Sequence, residues 1–156
     1  RRAKARDGDD PPERCGWVNG SASVLPFEDS TFDVVILEAV LTLVEKPHDR
    51  HLIMREAARV MNSGGFMYIS DFAQNWQLPL YRRRYTNDYG ITGEQGLFVV
   101  RNDDGTEKFR AKHYSRREMV ELVVKAGFEI ESLRTIPVRT MSGNRIDGYQ
   151  LIVRKG

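Results

Sequence analysis

A run of four consecutive aliphatic residues constrains the fold of this chain more than any other feature. The run, VVIL at residues 34–37, has no polar alternation, and an acidic turn at residues 28–30 precedes the strand that begins at Phe32. A strand that is apolar on both faces is typical of the interior of a parallel sheet with helices on both sides. The pattern therefore predicts a strand over residues 32–37 within an α/β fold.

Glu38 directly follows this predicted strand. In open parallel sheets, ligands bind in the crevice outside the carboxyl ends of the strands, where helix N-termini and short loops converge. The carboxylate of Glu38 is therefore either a ligand-facing group in that crevice or part of the first turn of a helix predicted over residues 39–44. The sequence leaves both interpretations open.

Composition limits the classes of partner. The chain has 156 residues, with 24 basic and 22 acidic side chains. This length fits one domain, and the near-neutral balance favours a small-molecule partner over a nucleic acid. A single cysteine, Cys15, cannot form an internal disulfide, and no apolar run reaches membrane-spanning length. We therefore expect a soluble cytoplasmic protein without a membrane partner.

A second helix and strand follow the first strand. Pro47 suits a helix start and Asp49 is a credible N-cap, while the glycine pair in residues 62–65 is expected to end the helix. The next strand is predicted over residues 66–72. Asp71 lies near its carboxyl end, where it either faces a substrate or caps the following loop.

Residues 73–112 form the least regular part of the chain, and long excursions in a small domain are usually lids or binding loops. A hairpin is predicted from residue 97 through the turn at 102–105 to Phe109. Before it, Tyr81 and Tyr85 are four residues apart and would share a helix face beside Arg82. That face could close over a planar or acidic acceptor, or the tyrosines could pack into the domain.

The pattern of the last third of the chain predicts a helix and two strands. Ser115 and Glu118 have the spacing of a capping box. His113 precedes this cap and is either a base or a hydrogen-bonding loop residue. The strands are expected over residues 128–133 and 149–153, joined by a loop at 142–144.

Three blocks carry a family resemblance: LPFEDSTFDVVILEAVL from residue 25, RVMNSGGFMYISDF from residue 59, and HYSRREMVELVVKAGFEIES from residue 113. In this order and spacing they resemble the class I S-adenosylmethionine-dependent methyltransferases, in particular the methyltransferase type 11 subgroup. The resemblance implies a Rossmann-like, mostly parallel sheet of order 3-2-1-4-5-7-6 with an antiparallel last strand. It also implies S-adenosylmethionine as cofactor and methyl transfer to a small-molecule acceptor, a reaction in which positioning supplies most of the rate.

The resemblance also implies site residues. Those expected at the cofactor are Ser21, Ala22, Leu37 and Glu38. The candidates for orienting or deprotonating the acceptor are Glu38, Asp71 and His113. The candidates for substrate binding in the cap over residues 73–112 are Tyr81, Arg82 and Tyr85. No metal site is expected.

The family's glycine-rich cofactor loop after its first strand has no counterpart here, since Gly64 and Gly65 precede a strand. We therefore expect a single partial domain over residues 1–156, without the first two strands and inactive by itself. The strand at 32–37 would then have an open edge, a template for another chain. Either a short strand predicted at residues 15–19 moves beside it, or two copies pair through it as a homodimer.

The alternative function is a non-catalytic interaction module that uses this edge. A third interpretation, half of a nucleotide-binding dehydrogenase, fits the sequence pattern less well.

Overall fold

The computed structural model describes residues 16–156, so the predictions that concern Cys15 lie outside the described residues. The elements, in chain order, are β1 (Phe32–Glu38), a 3-10 turn (Leu41–Leu43), α1 (Pro47–Val60), β2 (Met61–Phe72), α2 (Pro79–Thr92), β3 (Leu97–Arg101), β4 (Glu107–Lys112), α3 (Arg116–Lys125), β5 (Phe128–Arg139) and β6 (Arg145–Lys155).

The main sheet is mixed and has the strand order β1-β2-β6-β5. β1 pairs with β2 in parallel, whereas β6 is antiparallel to both β2 and β5. The α/β class and the antiparallel last strand are thus confirmed, and the order matches the 4-5-7-6 end of the expected sheet. Because Phe72 pairs with Gly148, the β5–β6 loop lies at the edge where β1 and β2 end.

One face of this sheet is buried. α1 and α3 pack on it, and the residues that form this core include Leu37, Ile53, Met54, Ala57, Met67, Ile69, Met119, Leu122, Val123, Leu151 and Val153. α3 begins with the predicted capping box, in which Ser115 Oγ accepts from the Glu118 amide and Glu118 Oε2 accepts from the Ser115 amide. The fully buried Met119 and Val123 extend this core along α3.

The opposite face is open among residues 16–156. Val34 and Ile36 are 58% and 64% exposed, and Phe66 and Ile152 on β2 and β6 are also exposed. β1 stands at the edge of the sheet, because residues 16–19 form neither a strand nor a helix. The predicted strand at residues 15–19 is therefore wrong over its described part, and so is its placement beside β1.

The acidic turn ahead of β1 is fixed by an arginine from α1. The guanidinium of Arg59 donates to the carbonyl oxygens of Leu25 and Phe27 and to the carboxylates of Asp29 and Glu56. The bond from Arg59, with that from the Leu25 amide, lowers the pKa of Glu56 to about 2. Two of the three blocks of the family resemblance therefore meet at this arginine.

Several predicted boundaries are wrong. β5 and β6 extend beyond the strands expected over residues 128–133 and 149–153. The helix expected over residues 39–44 is only the 3-10 turn, since Ala39 has a φ of 51° and interrupts a right-handed helix. Asp49 is not the N-cap of α1, because Pro47 occupies the start and Lys46 is the cap. Residues 62–65 do not end α1 but form a bulge in β2, where the register shifts between Phe32 and Val34 of β1.

The segment over residues 73–112 contains α2 and the predicted hairpin, which β3 and β4 form. A second cluster of buried residues ties this segment to the main sheet, and its members are Tyr81, Tyr85, Phe98, Ala111 and Ile146. Ile146 belongs to the start of β6. The segment therefore covers the edge of the sheet at which β2 ends.

The bulge in β2 generates a stability prediction. A Cβ on Gly65 would lie 2.9 Å from the backbone oxygens of both Asn62 and Asp33. Because backbone atoms cannot move aside as a flexible side chain can, Gly65→Ala should lower the free energy of unfolding by about 1–3 kcal/mol. Urea denaturation of the purified chain measures this change.

Gly90→Ala is the matched control. Gly90 lies inside α2 with nothing within 4 Å of the added Cβ, so alanine should raise stability by about 0.5–1 kcal/mol through helix propensity. Equal effects of the two substitutions would contradict the close packing at Gly65.

Candidate active site

The candidate site lies at the carboxyl ends of β1 and β2. Glu38 ends β1 with an exposed side chain and pairs in register with Ser70 of β2. The next residue, Ala39, adopts a left-handed conformation and donates its amide to the Ser70 carbonyl at 2.8 Å. A non-glycine residue in this region costs about 1–2 kcal/mol, and such strain clusters at functional sites.

Asp71 links the end of β2 to the turn after β1. Its carboxylate accepts from the Thr42 amide at 3.1 Å and from the Phe72 amide at 2.8 Å. The side chain is nearly inaccessible to solvent, and this burial raises the pKa of Asp71 to about 7, against the opposing effect of the amide bonds. In the structure, Asp71 therefore caps the 3-10 turn.

Two further side chains hold the segment after the turn. The Tyr114 hydroxyl donates to the Leu41 carbonyl at 2.8 Å, and Arg50 Nε donates to the Val44 carbonyl at 2.7 Å. Arg50 also donates to the Glu45 carbonyl and pairs with Glu94, although its side chain is only 5% exposed. Residues 41–45 are thus fixed from three directions, and we call them the clamped loop.

Two cavities flank the clamped loop. The first has a volume of about 330 Å³, and its lining residues are Ser21, Ala22, Ser23, Leu43, Val44, Glu45, Lys46, Asp49 and Ile53. The second is a groove of about 600 Å³, and its lining residues are Leu43, Glu45, Glu107, Phe109, Arg110 and Met141. Leu43 and Glu45 belong to both, so the clamped loop is their shared wall.

The predicted cofactor residues divide between two places. Ser21 and Ala22 line the first cavity, where Ser21 Oγ accepts from the Ser23 amide. Leu37 is buried in the main core, and Glu38 lies at the sheet edge outside the lining of either cavity. Among residues 16–156, no glycine-rich turn follows a strand to supply free amides.

The predicted cap residues form a closed aromatic cluster around His113. Tyr81 and Tyr85 are 2% and 1% exposed, and both rings pack against Phe98. The Tyr85 hydroxyl lies 2.7 Å from His113 Nδ1 and accepts from the Asn75 amide at 3.2 Å. The tautomer of the imidazole decides which of these two groups donates in the bond between Tyr85 and His113. The tyrosines pack inward, whereas Arg82 is exposed.

The charge state of His113 follows from its surroundings. Burial is the main cause that lowers its pKa to about 3, and the nearby cations Arg84 and Lys112 act in the same direction. The imidazole is neutral at physiological pH. His113 stacks on Phe72 with the ring centroids 5.3 Å apart, and Phe72 directly follows Asp71 in the chain. Phe72 thus connects the aromatic cluster around His113 to Asp71 at the end of β2.

The sequence interpretation missed several site residues. Arg50 occupies position i−3 from Ile53 on the core stripe of α1, and a charged residue on such a stripe indicates a buried cation with partners. The groove residues Phe109 and Arg110 come from β4, and Met141 comes from the β5–β6 loop. No local sequence pattern predicts that these segments lie together.

No cluster of three or more His, Cys, Asp or Glu side chains suited to a metal ion occurs within residues 16–156. No helix in that range is both long and apolar enough to span a bilayer.

The buried hydrogen bonds of the Tyr85 hydroxyl predict a loss of stability when the hydroxyl is removed. Tyr85→Phe removes the hydrogen-bond partner of His113 Nδ1 and the acceptor of the Asn75 amide. The substitution should lower the free energy of unfolding by about 1–3 kcal/mol, because both groups stay buried and unpaired. Chemical denaturation measures the loss. Tyr89→Phe on the same helix is the control, since Tyr89 is 50% exposed and should change stability by less than about 0.5 kcal/mol. Similar values for both variants would refute the buried network.

Comparison with known proteins places this geometry in a family. A family model described as a methyltransferase domain matches residues 1–69. The ubiquinone/menaquinone biosynthesis C-methyltransferase UbiE of Ruegeria sp. is 34% identical over 129 residues, which cover 81% of this chain and 50% of the relative. The UbiE of Roseobacter denitrificans is 26% identical over 128 residues and 50% of its length. The chain spans about half the length of these curated relatives.

Solved structures agree with this match. A crystal structure of a SAM-dependent methyltransferase from Methanosarcina mazei is 40% identical, with a TM-score of 0.85, and the alignment covers 87% of this chain and 65% of that one. A Burkholderia thailandensis 1,6-didemethyltoxoflavin-N1-methyltransferase, solved with bound 1,6-didemethyltoxoflavin and S-adenosylhomocysteine, has the same fold. It is 14% identical with a TM-score of 0.59, over 88% of this chain and 49% of that one. The chain therefore belongs to the class I S-adenosylmethionine-dependent methyltransferases, whose methyl donor is S-adenosylmethionine.

Proposed function

We propose that this chain contributes to methyl transfer from S-adenosylmethionine to a nucleophilic oxygen, nitrogen or carbon atom of a small-molecule acceptor. The observation that carries the proposal is the pair of cavities that share Leu43 and Glu45 at the carboxyl edge of the sheet. Methyl transfer needs a donor site and an acceptor site side by side, with the reacting atoms in line. The clamped loop would hold the two sites in this relation.

The first cavity fits the adenosine end of the donor. Its volume of about 330 Å³ lies within the range of small-ligand sites, and Ser21 offers a hydroxyl for hydrogen bonding. Ser21 and Ala22 would contact the adenine, while Leu37 and Glu38 would border the donor at the end of β1. When bound, the donor supplies an electron-poor methyl group, and the protein's task is to orient the acceptor towards it.

The remaining predicted residues receive roles that match their burial. Glu38 is exposed at the sheet edge and would orient or deprotonate the acceptor. Asp71 and His113 are buried and hydrogen-bonded, so we assign them positioning roles: Asp71 for the clamped loop and His113 for the cap. Tyr81 and Tyr85 would shape the acceptor side from within the cap, and Arg82 would meet an acceptor only at its exposed surface.

The names of similar proteins support a small organic acceptor. UbiE is a C-methyltransferase of ubiquinone and menaquinone biosynthesis, and the Burkholderia enzyme was solved with 1,6-didemethyltoxoflavin bound.

That this protein works in the cytoplasm, without nucleic acid or membrane as a partner, stays a prediction from the sequence. We further propose that residues 1–156 are inactive alone, because the described part has no loop for the methionine end of the donor.

Donor binding tests this proposal. If residues 16–156 hold only the adenosine end, S-adenosylhomocysteine and adenosine should bind the chain with affinities within about threefold of each other, as measured by isothermal titration calorimetry. Ser21→Trp should abolish both, since the indole would fill the first cavity from an exposed position. Thr135→Trp, on the exposed side of β5, is the control.

Two results would contradict the proposal in different ways. Binding of neither compound would remove the donor role of the first cavity. Binding of S-adenosylhomocysteine at least about tenfold tighter than adenosine would show that the methionine end is also held, so the chain would not be incomplete.

A second candidate function is assembly through β1. Within residues 16–156, no strand pairs with the outer edge of β1, and Val34 and Ile36 expose apolar surface beside Phe66 and Ile152. Free edges and apolar patches are sites of association. We propose a homodimer through β1, which sedimentation velocity should detect in the wild type and not in Ile36→Lys. Val124→Lys on the exposed side of α3 is the control, and a monomeric wild type at all concentrations would eliminate the dimer.

A further inference from the structure

The groove beside the clamped loop is built from three separate parts of the chain. Leu43 and Glu45 come from the clamped loop, Glu107, Phe109 and Arg110 from β4, and Met141 from the β5–β6 loop. All three parts lie at the edge where β1 and β2 end. The groove thus shares Leu43 and Glu45 with the first cavity, and neither Ser21 nor Ala22 lines it.

Large apolar side chains converge in this groove. Leu43 is 63% exposed, Phe109 is 39% exposed and Met141 is fully exposed. Single exposed apolar residues are common, but several around one concave site mark a binding surface. The volume of about 600 Å³ is sufficient for a ligand of one or two fused rings.

The charges of the groove oppose anion binding. The Arg110 guanidinium pairs with Glu45 at 2.7 Å and with Glu107 at 3.0 Å. Two carboxylates thus satisfy a single cation, and the three side chains together carry one net negative charge. An anionic ligand would meet repulsion here, because no second cation belongs to the lining among the residues that the structure describes.

We propose that this groove binds an uncharged acceptor with a planar apolar ring system, and that Phe109 and Met141 determine this preference. The inference rests on the proposed methyl-transfer function and specifies its acceptor class. Phe109 and Met141 provide apolar contact to the ring, while Glu45 and Glu107 exclude acceptors that carry a carboxylate or phosphate.

A matched pair of probes tests the charge preference. 2-Naphthol and 2-naphthoate share one ring system, but at pH 7 only the second is an anion. Fluorescence titration of the 156-residue chain should give a dissociation constant at least about tenfold lower for 2-naphthol. Glu107→Lys makes the net charge of the groove positive and should remove or invert this difference.

A second set of variants tests the apolar contacts. Met141→Ser and Phe109→Ser should each weaken 2-naphthol binding about fivefold or more, because each removes apolar contact area. Met141 is fully exposed, so its substitution removes no buried contact from the fold. Val124→Ser, on an exposed site of α3 outside the groove, should leave binding unchanged.

Binding of 2-naphthol no tighter than 2-naphthoate, or equal binding by wild type and Met141→Ser, would overturn the inference. These titrations contain no methyl donor, so they are independent of the adenosine titration. Donor binding without 2-naphthol binding would refute only the acceptor class. The reverse result would refute the donor site and leave the groove as a binding site for neutral rings.

Discussion

The structure depends on the hydrogen bond between the Asp71 carboxylate and the Thr42 amide. It joins the end of β2 to the 3-10 turn that follows β1, in a region closed to solvent. Burying this carboxylate is costly, and the rise of its pKa to about 7 reflects that cost. The cost is offset only while the turn presents its amides, so turn and carboxylate stabilise each other. Tyr114 and Arg50 then hold the carbonyl oxygens of the same loop.

A fixed loop at this position links the fold to the proposed chemistry. Positional catalysis needs donor and acceptor sites whose relative placement does not fluctuate, because small misplacements cost large factors in rate. Here the shared wall is bonded to β2, α1 and β4–α3 through Asp71, Arg50 and Tyr114. The side chains of Leu43 and Glu45 line both cavities, while backbone groups of the loop bond to the scaffold. Because both side chains are buried and hydrogen-bonded, we propose positioning roles for Asp71 and His113.

Local sequence signals predicted the features that depend on local physics. The aliphatic run gave β1, the Asn-Asp-Asp-Gly turn gave the hairpin, and Ser115 with Glu118 gave the start of α3. The errors arise where distant contacts override propensity. Residues 39–44 form only a short turn because Ala39 bonds to Ser70 and Asp71 caps Thr42. The groove could not be predicted, since Met141 and Phe109 line one cavity only through the pairing of β5 with β6 and the packing of the cap.

Native-state hydrogen exchange of the Thr42 amide measures whether Asp71 holds the 3-10 turn closed in solution. If the buried Asp71 carboxylate holds this amide, Thr42 should exchange as slowly as amides of the buried strand β2, with protection approaching the global stability of the fold. Asp71→Ala should selectively accelerate exchange at Thr42. Exchange of Thr42 at the rate of an unstructured peptide in the wild type would contradict the account, because the clamped loop would then be open in solution.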